Sequence, residues 1–198
     1  MLIDTDILIT WGAVYKKFEK HQCIFEEGTH AKYYHQIVEG DVKMFNINED
    51  GKEFIQGIFK KGESFGEPPL FIEETYPASA MTLHDCIILR LNKESFHKLL
   101  NEYPQIQANF IHMFARRIYN KSITAKEIAN NNPEHRILAF MKSYKHNNCN
   151  DCPERVLIPY TRQEIANFTG LRVETVIRAL IKMNEQKIVH IDNRKVYF

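Results

Sequence analysis

"TRQEIANFTGLRVETVIRAL", residues 161–180, decides the fold. Thr161 is placed to cap a helix, with Glu164 three residues on to complete a capping box. Gly170 can take a tight bend that a side chain would resist. Ile165, Ala166, Leu171, Val176 and Leu180 fall where two short crossed helices would touch, and the small Ala166 allows a close approach. This is the spacing of a helix-turn-helix, whose second helix enters a DNA major groove. The opposing reading is a helical hairpin whose charges are only solvated. The agreement of cap, glycine and apolar spacing weighs against it.

Downstream, "KIVHIDNRKVYF" (187–198) reads as a hairpin turning at Asp192-Asn193, which sets Arg194 and Lys195 beside a phosphate backbone as a wing. The second helix would present Arg172, Val173, Glu174, Thr175 and Arg178. Arginine can donate twice to guanine, and glutamate can accept from cytosine N4. Thr161, Arg162, Gln163 and Thr175 suit phosphate contacts. The charge distribution agrees. Residues 1–130 hold 15 Lys/Arg and 18 Asp/Glu, whereas 131–198 hold 11 and 7, so only the rear half suits a polyanion.

Upstream, residues 22–91 read as short strands rich in Ile, Val, Phe and Tyr, punctuated by glycines. "EDGK" at 49–52 signals a tight hairpin. The pattern predicts an antiparallel barrel of the double-stranded β-helix kind, within an α+β chain. "DILITWGAVYKKFEKH" carries helical spacing at Ile7, Trp11, Val14 and Phe18. From Lys93 the texture is helical, and Pro104 is placed to open a long helix. On that helix Ile106, Phe110 and Met113 form one apolar stripe, and Ile111, Phe114 and Ile118 another. Two stripes imply two partners, the barrel and a second chain, unless both serve a monomer core. Asn130, Asn131, Asn132 and Pro133 mark a boundary between domains 1–130 and 131–198. A further helix follows, with Ile137, Leu138, Phe140 and Met141 for its core.

The quoted helix pair resembles the DNA-binding element of the Crp/Fnr superfamily of bacterial transcription regulators. "IFEEGTHAKYYHQIVEGDVKMF" (24–45) is similar to that family's entry into its cyclic-nucleotide-binding barrel, "FGEPPLFIEETYPASA" (65–80) to its phosphate-binding cassette, and "ARRIYNKSITAKEIA" to its dimerisation helix. The resemblance implies a cytoplasmic homodimer on a near-palindromic operator, acting with RNA polymerase, with Ile106, Phe110, Met113, Phe114, Arg117 and Ile118 on the dimer helix. Glu174 and Arg178 match the family's base-reading positions. Val173 falls where the best-known member has another arginine. Ile177 stands where glycine or serine is common, and can meet a thymine methyl.

The same resemblance assigns Gly66, Glu67 and Ser79 to the effector pocket, with Lys121 and Ser122 aligned to the helix positions that meet the base. The cassette's arginine, however, aligns with Pro77 or Ala78. Without that cation the cyclic phosphate loses a charge-assisted partner worth about 1.5–3 kcal/mol. Cyclic AMP is therefore not the expected effector, no cofactor is assigned, and Glu67 has a second reading as a buried cap of backbone N–H groups.

"HNNCNDC" places His146, Cys149 and Cys152 at metal-ligand spacing, with His135 or His190 as a fourth ligand, which is the basis of an alternative redox- or metal-responsive regulator. The plainer account is a loop with incidental thiols. The family's oxygen sensors carry their cluster cysteines in an N-terminal run, where this chain has only Cys23. A cupin-like metal enzyme would need an H-x-H pair that His30, His35 and His84 do not form, and no P-loop, Rossmann or G-x-S-x-G signature is present. A nucleotide-sensing adaptor that never meets DNA is opposed by the winged helix. The sequence holds no apolar run of membrane-spanning length and no basic leader segment.

Overall fold

The computed structural model describes residues 2–129, 132–148 and 155–198. Contacts group the chain into two compact units, Met1–Arg116 and Arg117–Phe198. The expected boundary at Asn130 and Asn131 falls on residues outside those described.

The first unit begins with α1 (Thr5–Thr10), capped by the Asp4 carboxylate, which accepts from Asp6 N at 2.8 Å. The helix stops there, contrary to the 3.6-residue spacing that runs on to Phe18. Gly12 reverses the chain at φ +91°, and Val14–Phe18 becomes β1, paired along its length with β8 (Cys86–Asn92). Long-range ladder bonds override a short stretch of helical periodicity.

Eight strands form two four-stranded antiparallel sheets. The first has the order β1, β8, β3 (Tyr33–Glu39) and β6 (Ser64–Phe65). The second has β2 (Cys23–Phe25), β7 (Ser79–Thr82), β4 (Val42–Ile47) and β5 (Glu53–Phe59). This alternation between sheets is a jelly roll, so the antiparallel β-fold of the sequence reading holds but its closed ring does not. The Asp50-Gly51 hairpin joins β4 to β5 as expected, with Gly51 at φ +74°. A short helix, α2 (Pro68–Ile72), lies in the cassette.

On one face of the first sheet, Tyr34 stacks on Phe96 at 4.7 Å and meets Phe110 edge-on at 5.9 Å. Phe96 belongs to α3 (Lys93–Glu102) and Phe110 to α4 (Pro104–Ala129), which opens at the proline as expected. Beside Tyr34, the buried Gln36 side chain accepts from Ile3 N and donates to Ile3 O, fastening the N-terminal segment to the sheet. On the other face, His35 and Ile37 are sealed between the sheets. Ile106 and Phe110 join this core, with Met113 and Phe114 half-buried against it.

The second unit holds the later turns of α4, then α5 (Pro133–Asn148), β9 (Leu157–Ile158), α6 (Arg162–Thr169), α7 (Val173–Glu185), β10 (His190–Asp192) and β11 (Lys195–Tyr197). The last two strands and β9 form a small sheet in the order β10, β11, β9. Its core is built from Ile137 and Met141 of α5, Ile165 and Ala166 of α6, and Val176, Leu180 and Met183 of α7. Among the described residues, no helix is long and apolar enough to cross a membrane.

Gly40, between β3 and β4, has φ +88°, and a Cβ there would lie 2.6 Å from the Asp85 carbonyl oxygen and closer still to Cys86 Sγ. Gly40→Ala is expected to lower stability by about 3 kcal/mol or more, strain and clash acting together. Gly51→Ala meets open space and should cost only about 1 kcal/mol. Urea unfolding midpoints of the two variants check the contrast.

Candidate functional site

The second unit builds its exposed face from local signals. Thr161 Oγ1 accepts from Glu164 N at 3.2 Å, and the Glu164 carboxylate accepts from Thr161 N at 2.7 Å, completing the capping box. Gly170 then takes φ +66° with open space around it, so conformation rather than crowding calls for glycine. The Leu171 N–H donates to Ala166 O across the turn. From Arg172 the chain enters α7, which buries Val176, Ala179, Leu180 and Met183 and turns Arg172, Glu174, Ile177 and Arg178 to solvent.

Several of the residues expected to meet DNA have structural partners. Val173 is half-buried against the core, which removes most of its side chain from any groove. Arg162 Nη1 donates to the Arg194 carbonyl at 2.6 Å, tying the start of α6 to the wing, and partial burial depresses its guanidinium pKa. Gln163 is exposed and bonds Asn167 at 2.9 Å, while Thr175 is half-buried. The wing turns one residue later than expected: Asn193 and Arg194 both take positive φ, 45° and 64°, and Asp192 pairs with Lys195. A two-residue hairpin with both central residues left-handed matches strand twist. Arg194 therefore sits at the tip itself, with Lys195 exposed beside it.

The sequence reading missed three features. Asn184 Oδ1 accepts from Ile191 N at 2.9 Å and joins α7 to the wing. Lys182 pairs with Glu134 at 2.6 Å, linking α7 to α5. Ile181, 52% exposed, extends the solvent face of α7 along the i, i+3, i+4, i+7 row from Glu174, a periodicity visible in the sequence.

In the first unit the cassette is packed with the chain's own side chains. Phe25 stacks face to face on Tyr76, with ring centroids 3.7 Å apart and planes 7° from parallel. Gly66 lies under this pair at φ +71°, and a Cβ there would approach Phe25 to 2.7 Å and Tyr76 to 3.2 Å. Glu67 is buried and bonded to the Ser64 hydroxyl. It occupies the N-cap of α2, yet its side chain makes no cap bond, so the capping role expected for it is not observed. The Ser79 hydroxyl accepts from Glu27 N at 3.0 Å, and the Pro77 carbonyl accepts from Asn46 at 2.7 Å. Ala78 is fully buried. Lys121 and Ser122 lie on the later turns of α4, both exposed, and Ser122 Oγ donates to Ile118 O.

A cyclic nucleotide-binding domain profile matches residues 15–103, and a Crp-like helix-turn-helix domain profile matches residues 135–198. The chain belongs to the Crp/Fnr superfamily of transcription regulators. This Crp/Fnr regulator is 23% identical over 183 residues to the fumarate and nitrate reduction regulatory protein of Yersinia pestis, covering 91% of this chain and 73% of that one. It is 25% identical over 182 residues to the cAMP-activated global transcriptional regulator CRP of Haemophilus influenzae, covering 91% and 81%. Its fold is similar to that of the c-di-GMP-responsive global regulator CLP of Xanthomonas campestris, with a TM-score of 0.79 at 20% identity over 98% of this chain and 99% of that one. FixK2 of Bradyrhizobium japonicum gives 0.75 at 21% identity, covering 94% and 92%. The regulator binds DNA through its helix-turn-helix, and its activity is not enzymatic.

Neither alternative gains from the geometry of this regulator. His146 is exposed near the end of α5, and Cys149 and Cys152 lie outside the described residues. His135 is exposed on α5, and His190 is exposed on β10. Among the described residues, no group of three His, Cys, Asp or Glu side chains is placed to hold a metal ion.

His35 titrates abnormally. Burial, with the Arg90 charge adding to it, pushes its pKa down from 6.5 to about 3. The unfolded chain therefore takes up this proton first on acidification. The stability held by neutral His35 is complete above pH 6.5 and is lost as pH falls toward about 3. In that window His35→Phe should flatten the acid limb of stability against pH by up to about 1.4 kcal/mol per unit, read from urea midpoints across pH.

Proposed function

We propose that the protein is a homodimeric, sequence-specific regulator that sets two copies of α7 into successive major grooves of a near-palindromic operator. The observation that carries this reading is the α7 surface: Arg172, Glu174, Ile177 and Arg178 are exposed together on a helix tied to the wing through Asn184 and to α5 through Lys182. Arg178 and Arg172 are donors suited to guanine, and Glu174 is an acceptor suited to cytosine N4. Ile177 offers methyl contact. Thr161, Gln163, Thr175, Arg194 and Lys195 would serve the phosphates, with Arg162 positioning the wing as well as adding charge. The half-burial of Val173 supports a half-site that lacks one guanine contact of the family's familiar operator. The DNA-binding domain of this reading is 131–198, and 1–130 is the sensor with its connecting helix. RNA polymerase in the cytoplasm is the proposed partner of the bound dimer.

The dimer would form along α4. Ile106 and Phe110 face the core of the sandwich, whereas Ile111 and Ile118 are 65% and 66% exposed, with Tyr119 and Ile123 beside them. An apolar stripe at seven-residue spacing suits a parallel partner helix. The sensor would not hold cyclic AMP in the usual mode: the cation is absent, the Ser79 hydroxyl is engaged, and Phe25 and Tyr76 fill the space over Gly66.

Selection of bound DNA from a random pool, with and without small molecules, tests the reading directly. On the selected operator, Arg178→Ala should weaken binding about tenfold or more. A loss within twofold would displace α7 as the reading helix. Affinity should fall steeply with salt, with a log–log slope of roughly −0.9 per phosphate contact. Ile118→Glu should sediment as a monomer with unchanged far-ultraviolet circular dichroism and bind the operator at least about tenfold more weakly. Calorimetric titration with cyclic AMP or cyclic GMP should show no micromolar binding.

A further inference from the structure

The sandwich carries an open pocket of about 560 Å³ to which the cassette contributes Tyr76, with the Glu26 carboxylate also on its wall. Gly66, Glu67 and Ser79 are absent from its wall. Its surface comes instead from Phe25, Tyr33, His35, Tyr76 and Arg90, with Lys32 at the rim. Its size falls within the range of small-molecule sites, and its walls have their composition: aromatic faces with a few convergent polar groups.

Arg90 is the unusual member. It registers directly opposite His35 in the β3–β8 ladder, so the two side chains share one face of the sheet. Its guanidinium lies over the Tyr33 ring, 3.9 Å from the centroid. Arg90 Nε is buried without a hydrogen-bond partner, and so is His35 Nδ1. Among the described residues no carboxylate forms an ion pair with Arg90. A native fold rarely leaves a buried guanidinium N–H and a buried imidazole nitrogen unsatisfied on one surface, and each calls for an explanation. Both residues belong to the lining of the same pocket, with these two nitrogens set behind its surface.

The donors define the missing group. The Nε edge of a guanidinium offers two parallel N–H groups that match the two oxygens of a carboxylate. His35 stays neutral in this setting, because burial and Arg90 both disfavour its charged form. Its Nδ1 can therefore bond a second polar atom without adding charge. Phe25, Tyr33 and Tyr76 would then flank a flat apolar body. A bare inorganic anion would leave those faces and most of the volume unfilled.

We infer that this cavity binds a small organic carboxylate with a flat apolar body, its carboxylate held by Arg90 and a second polar contact made by His35. The site shares Tyr76 with the cassette but not Gly66, Glu67 or Ser79, and it does not depend on how the second unit reads DNA. Phe25 and Tyr76 belong to both surroundings, so an occupant would press on the same ring pair that covers Gly66.

The test uses the full chain, labelled with nitrogen-15, with benzoate as probe, benzamide as its neutral counterpart, and inorganic phosphate as the bare anion. Benzoate should shift the Arg90 Nε–H resonance saturably and bind at least tenfold more tightly than benzamide. Arg90→Gln should abolish that preference. Arg90→Lys, which keeps the charge and loses the paired donors, should weaken benzoate at least threefold, and it serves alone if the Gln variant does not fold. Equal binding of benzoate and benzamide, an unmoved Arg90 resonance at saturation, or phosphate binding as tight as benzoate would each overturn the inference.

Discussion

The face-to-face contact of Phe25 with Tyr76 sets the packing over the cassette glycine. One ring comes from β2 and the other from the loop before β7, so the pair closes the second sheet over the cassette. Gly66 is obliged to be glycine twice over, by its left-handed φ and by rings that leave no room for a Cβ. In a phosphate cradle such a glycine lets backbone N–H groups approach an anion. Here it lets two aromatic side chains approach the backbone. The loop has kept its shape while the reason for that shape has become packing, and the buried Ala78, with its neighbour Ala80, is small enough to permit it.

The second unit solves a different problem, that of holding a short helix rigid while leaving half its surface bare. α7 buries one row of side chains, which cannot by itself fix rotation about the helix axis. Two polar ties supply the remaining constraint on α7, Asn184 to the Ile191 backbone and Lys182 to Glu134, while Arg162 of α6 holds the wing through the Arg194 carbonyl. None is strong alone, and the exposed ion pair is worth little energetically. Together they keep the exposed face of α7 and the wing in one frame, which in the proposed docking spares binding the cost of ordering them.

The helix-turn-helix was legible because its signals are local: a capping box within four residues, one left-handed glycine, and an apolar row of period 3.6. The strands were legible as strands for the same reason. Their division into two sheets was not, because β1 pairs with β8 across about seventy residues, and pairing partners leave no mark at that distance. The helix expected to run to Phe18 shows the limit of periodicity, since Ile7, Trp11, Val14 and Phe18 fit a helix until Gly12 is given weight. Arg162 and Val173 show another limit. Position in the motif set both at the expected DNA face, and position alone does not show that Arg162 also braces the wing or that Val173 is half-buried. Glu67 was read as buried, as it is, and the Ser64 hydroxyl is one of its partners. Arg90 carries no sequence signal, because a buried Nε–H without a hydrogen-bond partner is defined by what fails to surround it.

The exposed isoleucines of α7 have one further implication. Ile177 and Ile181 are 43% and 52% exposed on the face that also carries Glu174 and Arg178. In the proposed docking their branched side chains meet the floor of the major groove, where the only apolar group that natural bases offer is the thymine methyl. Methylation of cytosine at carbon 5 places a methyl group at the same position. A helix that reads with isoleucine would therefore register the epigenetic state of a cytosine as well as its identity, which a glycine or serine at position 177 would not.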